Sequence, residues 1–224
     1  MKKPEFKYSI DWKSKFMDLI IVIVGITIAF KLNTWNESTK SSKNAAEYVK
    51  SFTDENVSNQ QLLASVLEFS EANKKEIETL KNLLVTGDYE DTRINNLVAT
   101  MMELADFSPM ITAFENITAS GEFELIRDSE LRKQIINTYN GYKTTDKFEN
   151  ILMDYVNEYV TPYFFEYVRF SDFNAVDSEF IRSQLFENIV TGYEILLSQQ
   201  IRGYRDNLKK ANNLSDRLNA VNYR

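Results

Sequence analysis

Hydrophobic and polar positions divide the chain into an apolar run near its start and a long amphipathic remainder. Residues 19–30 read LIIVIVGITIAF without a charge, and Phe16, Met17 and Leu32 extend the run on both sides. This predicts a transmembrane helix over 16–35, since about 20 mostly apolar residues cross a hydrocarbon core. Trp12 and Trp35 bracket it where interfacial indoles are favoured, and Lys31 can snorkel to the headgroups. Their 23 steps span roughly 35 Å at a helical rise. Gly25 and Ala29 form a small-xxx-small pair that permits close helix packing in a bilayer.

Beyond the run, no Gly or Pro occurs until Gly87, so the helix can continue into the following domain. Apolar residues at Tyr48, Phe52, Leu62, Val66, Phe69, Ile77, Leu80 and Leu84 recur at helical spacing. Gly87 fits a helix C-cap. Asp91 can cap a second helix carrying Ile94, Leu97, Val98, Met101, Met102 and Leu104. Ser108-Pro109 is a start signal for a short helix through Ala119, ended by Gly121. Asp128 or Ser129 caps a long helix with Leu131, Ile135, Ile136 and Tyr139 on one face. Gly141 is a candidate interruption before Phe148, Ile151, Leu152 and Tyr155, and Pro162 kinks or ends the run. Asp177-Ser178 opens the last segment. There Leu197, Ile201, Tyr204, Leu208, Ala211, Leu214, Leu218 and Val221 step by threes and fours, close to a heptad. No strand of period two is expected. The fold class is all-α: one N-terminal transmembrane helix continuing into an antiparallel extracytoplasmic helical bundle. Its parts are a basic cytoplasmic tail (1–15), the span (16–35) and the helical domain (36–224).

Charge sets the orientation. Lys2, Lys3, Lys7, Lys13 and Lys15 precede the run, against three Lys in 36–50. The positive-inside bias puts the N-terminus in the cytoplasm and the domain outside, periplasmic in a diderm cell with the anchor in the inner membrane. A cleaved signal peptide is the competing reading, but Phe30-Lys31-Leu32-Asn33 is a poor cleavage site. The whole chain has net charge −7, concentrated after residue 35, which disfavours nucleic acid. With no Cys and no His, thiol nucleophiles, His-based triads and most transition-metal sites are unavailable. No catalytic residue, metal or cofactor is expected.

Two blocks carry a resemblance. VGITIAFKLNTWNE (24–37) and AFENITASGEFELIRDSELRKQIINTYNGY (113–142) are similar to the recurrent "GI-x-IA…NNWNE" and "F-x-x-L-x-x-S-G-x-L-x-L-I-x-x-x-x-L-R" runs of an uncharacterised Bacteroidota family of single-pass membrane proteins, a domain of unknown function. Thr34, Ile117 and Phe123 depart from those patterns. The resemblance implies a bitopic envelope protein and carries no activity or ligand residues with it.

Four features are candidates for function, each beside a structural alternative. Tyr155, Tyr159, Tyr163, Phe164 and Tyr167, with Phe165, Phe170 and Phe173, crowd around Pro162. They form either a groove for an apolar ligand or partner helix, or a core corner where rings pack on one another. Leu208, Leu214 and Leu218 are either core or a docking stripe for another helix, and Leu208 is expected in the core. Ser120-Gly121-Glu122 is a recognition loop or a helix stop using a glycine at positive φ. The acids Asp88, Glu90 and Asp91 lack the remaining spacings of a Ca²⁺ loop and read as a solvated turn. The expected role is a non-enzymatic, membrane-anchored interaction or scaffold subunit of the envelope, with the lipid bilayer and a protein partner or second copy as its associates. The alternative is an extracytoplasmic ligand-sensing bundle signalling through a partner membrane protein.

Overall fold

In the computed structural model, residues 12–169, 174–175 and 178–221 are described. The basic residues Lys2, Lys3 and Lys7, and Phe170, Phe173 and Asp177, lie outside them. The protein is all-α. Its elements are α1 (Trp12–Thr86), α2 (Ile94–Ala99), a 3-10 turn (Thr100–Met102), α3 (Thr112–Ser120), a second 3-10 turn (Glu122–Leu125), α4 (Ser129–Tyr155), a π-helical turn (Val156–Val160), α5 (Thr161–Tyr167), a two-residue ladder β1 (Val168–Arg169) with β2 (Asn174–Ala175), α6 (Ser178–Ile181) and α7 (Gln184–Ala220). The chain divides into two compact units, one ending at Glu47 and one beginning at Tyr48.

In the first unit α1 carries the apolar run. One helix is long and apolar enough to cross a membrane, and none of its apolar window is buried. Every residue from 12 to 40 is exposed. Trp12 and Trp35 are 77% and 70% exposed, and a Cβ at Gly25 would meet nothing within 4 Å.

The second unit is a bundle of three long helices with short elements beside it. Inward positions alternate by three and four residues on each helix, the spacing of a heptad seam. On α1 they run Val49, Phe52, Asn56, Asn59, Leu63, Val66, Ser70, Asn73, Ile77, Leu80 and Leu84. On α4 the seam holds Leu131, Ile135, Thr138, Tyr142, Thr145, Glu149 and Leu152; on α7 it runs from Phe186 to Leu218. Asp128 pairs with Arg217, and Tyr155 donates to the Ile189 carbonyl at 3.0 Å, so α4 and α7 are antiparallel. Asn56 donates to the Ala211 carbonyl at 2.9 Å and Lys81 pairs with Glu194 at 2.6 Å, so α7 is antiparallel to α1 as well.

Several expectations are corrected. Leu62 and Phe69 are not the inward residues of α1; Asn59, Leu63, Ser70 and Asn73 are, because the alternation continues straight through polar positions. On α7, Asn207 takes the inward place and leaves Leu208 half-buried. Leu214 and Leu218, 1% and 4% exposed, are core, which leaves no exposed leucine stripe there for docking. Gly141 does not interrupt α4, which passes through it. The helix expected from Pro109 starts at Thr112 instead. Residues 103–111 stay irregular because side chains of α1 and α4 take up their backbone groups.

Candidate ligand cleft

Those side chains come from the polar positions of the seams. The Phe107 N–H donates to Glu149 Oε1 at 2.9 Å. Asn59 closes a two-way bond with Met110, accepting its N–H at 2.7 Å and donating to its carbonyl at 2.8 Å. The Ala113 N–H donates to Glu55 Oε1 at 2.6 Å, and Asn73 donates to the Glu103 carbonyl at 3.1 Å. An irregular segment beside a core leaves backbone groups that need partners, and here the buried side chains of two Glu and two Asn residues supply them. The segment is thereby held to α1 by Asn59 and Asn73 and to α4 by Glu149.

Between these elements lies a cleft of about 660 Å³. Phe107, Phe114, Tyr139 and Tyr142 supply its aromatic lining. Phe114 stacks on Tyr139 at 4.7 Å, and Phe107 meets Tyr142 edge-on at 5.2 Å. Phe52, Phe123 and Tyr204 extend the ring cluster behind them. Asp106, Glu115 and Asp146 bring three carboxylates to the lining, against the single cation of Lys143.

Burial pushes the Tyr139, Tyr142 and Tyr204 hydroxyls well above the usual phenol range, so they stay protonated and act as donors rather than nucleophiles. Tyr139 donates to Glu55 Oε2 at 2.7 Å and Tyr204 to Glu149 Oε1. Both buried carboxylates are thus occupied in holding structure. Burial also raises Glu149, and the charges of Asp106 and Asp146 add to the effect. Among the described residues, no group of three His, Cys, Asp or Glu side chains is placed to hold a metal ion.

The aromatic residues near Pro162 lie elsewhere. Tyr163 and Phe164 are buried, Tyr155 and Tyr167 half-buried, and Tyr159 exposed. Tyr163 packs on Phe186 at 4.8 Å and Phe180 stacks on Tyr167 at 4.2 Å. Burial pushes the Tyr163 hydroxyl up to about 12. The rings there face one another, as in a core corner. Gly121 is the left-handed stop of α3 at φ 72°, and its neighbour Glu122 accepts from Tyr48 at 2.7 Å. At the Gly87 turn, Asp91 is held by Arg93 at 2.7 Å.

The cleft was missed because its signal is indirect. Glu and Asn at inward seam positions, followed by an unassigned stretch with Phe107 and Met110, would have marked a pinned segment.

A model of a family of unknown function, DUF6090, matches residues 18–191. No curated protein and no solved structure matches.

Proposed function

The chain belongs to DUF6090, and we propose that it is a non-enzymatic, membrane-anchored helical interaction subunit of the bacterial cell envelope. The observation that carries this reading is the uncovered apolar stretch of α1. A water-soluble fold would bury side chains such as Ile21, Ile26 and Phe30, yet each is more than half exposed. Only an apolar surrounding accommodates a continuous run of that kind. The helix is unbroken from Trp12 to Thr86, which favours a retained anchor over a leader cut near residue 30. The Lys distribution favours a cytoplasmic N-terminus and a periplasmic domain anchored in the inner membrane.

The non-enzymatic reading is supported by how Glu55 and Glu149, the buried carboxylates among the described residues, are used, since each already accepts backbone and tyrosine donors. In-membrane crosslinking, detergent solubilisation and mass spectrometry test the interaction role. A stoichiometric protein partner or a crosslinked second copy is expected. A chain released by alkaline extraction, or one that crosslinks to nothing, would defeat it. A second reading, a ligand-sensing bundle that signals through a partner membrane protein, is favoured by one observation, the cleft beside α3.

A further inference from the structure

We propose that the cleft bounded by residues 103–111, α3 and α4 binds a small organic cation, an ammonium or guanidinium on an aromatic or aliphatic body. The proposal rests on the second reading above, that this cleft takes up a ligand.

Its size fits first. A cavity of about 660 Å³ lies inside the range of roughly 300–1,000 Å³ usual for small-molecule sites. The lining chemistry fits next. Phe114 and Ile111 offer apolar area for the ligand body, over Phe107, Tyr139 and Tyr142 packed beneath them, and an aromatic ring attracts a cation over its face. The charges then select the sign. Asp106, Glu115 and Asp146 make no ion pair among the described residues, and they outnumber Lys143. Glu149 and Glu55 lie just behind the wall, bonded to Phe107 and Tyr139. Asp106 and Asp146 lie close enough to act on Glu149, and the excess of negative charge sits at the rim of the cleft. An anion would meet this field with only Lys143 to offset it.

The test uses the full chain in lipid nanodiscs, with empty discs as reference. Benzyltrimethylammonium, benzyl alcohol and benzoate share a ring and differ in charge, and their binding is followed by NMR and calorimetry. The cation is expected to bind about tenfold more tightly than the alcohol, with benzoate weakest. Asp106→Asn and Asp146→Asn, both at exposed positions that leave the fold intact, should each weaken the cation by roughly two- to fivefold. Lys143→Gln should tighten it by a similar factor. If all three probes bind alike and the charge variants change nothing, the cation assignment is overturned while the cleft stands as a ligand site. If none binds the cleft up to roughly 10 mM, both the assignment and the ligand-sensing reading fall.

Discussion

Asn207 on α7 donates to the Gly141 carbonyl on α4 at 2.9 Å, and a Cβ at position 141 would lie 2.3 Å from its Oδ1. The Asn207 amide also donates to the Thr145 hydroxyl, so this side chain is pinned and cannot swing clear cheaply. Gly141 is therefore a point of close helix approach, and the glycine is kept for space rather than for backbone freedom.

The first prediction follows from that contact. In a free helix interior Gly→Ala stabilises by up to about 1 kcal/mol. Here overpacking costs about 1–3 kcal/mol, so Gly141→Ala should lower the melting temperature. In an Asn207→Ala background, where the opposing amide is gone, the same Gly141→Ala change should cost less than in wild type. A single variant that melts higher than wild type would show that the helices part without penalty.

Glu149 gives a pH prediction. Burial, and then Asp106 and Asp146, raise its folded pKa above the reference value of 4.5, against the hydrogen bonds from Tyr204 and Phe107. Between the unfolded and folded values the native state holds a proton that the unfolded chain has lost. Its contribution to stability is thus full below 4.5 and falls as pH rises through the folded pKa. Both hydrogen bonds end on Oε1, so a glutamine oxygen can accept both, and its NH₂ would face the neighbouring acids. Glu149→Gln should match or exceed wild-type stability at pH 7, with the gap closing as pH falls towards 4.5. Chemical denaturation across that range checks it; a variant that is less stable at every pH would contradict it.

Glu55 should behave in the opposite way. Its two oxygens serve different donors, Oε1 the Ala113 N–H and Oε2 the Tyr139 hydroxyl. A glutamine can keep the first only by turning its amide nitrogen to Tyr139, leaving the hydroxyl proton without an acceptor. Such a buried loss costs about 1–3 kcal/mol. Glu55→Gln should therefore destabilise where Glu149→Gln does not, and amide exchange at Ala113 and Glu115 should speed up. Equal melting temperatures for the two variants would refute the distinction.

These residues also mark where the sequence was legible. Apolar periodicity, Gly87, Gly121 and Asp128 gave the helices and their ends, because caps and φ preferences act locally. The polar seam positions were not legible. Asn56, Asn59, Asn73, Glu149 and Asn207 satisfy groups on other elements, and those pairings arise only once the helices meet. Asn207 takes the inward place to which the apolar pattern assigns Leu208. The Ser108-Pro109 start failed similarly, since Glu149 and Asn59 claim the backbone of Phe107 and Met110.

The register of α7 can be tested directly. Leu218→Ala empties a buried site and should cost about 2–5 kcal/mol. Leu208→Ala, at a half-buried site, should cost roughly half of that or less. Neither should alter crosslinking to partners at temperatures where the fold persists. A larger loss at 208 than at 218 would reverse the assigned register.

The anchor makes the last prediction, and the composition makes it practical. The chain contains no cysteine, so single cysteines can be introduced without background. Lys13 and Lys43 flank the apolar run, on the same helix. A segment that crosses the bilayer with positive charge inside puts residue 13 in the cytoplasm and residue 43 outside. In intact spheroplasts, Lys43→Cys should react with a membrane-impermeant maleimide and Lys13→Cys only after lysis. The inverse pattern would mean that the orientation is wrong though the span is real. Labelling of both without lysis, together with release at alkaline pH, would mean that the uncovered apolar side chains of α1 are sheltered by something other than a bilayer.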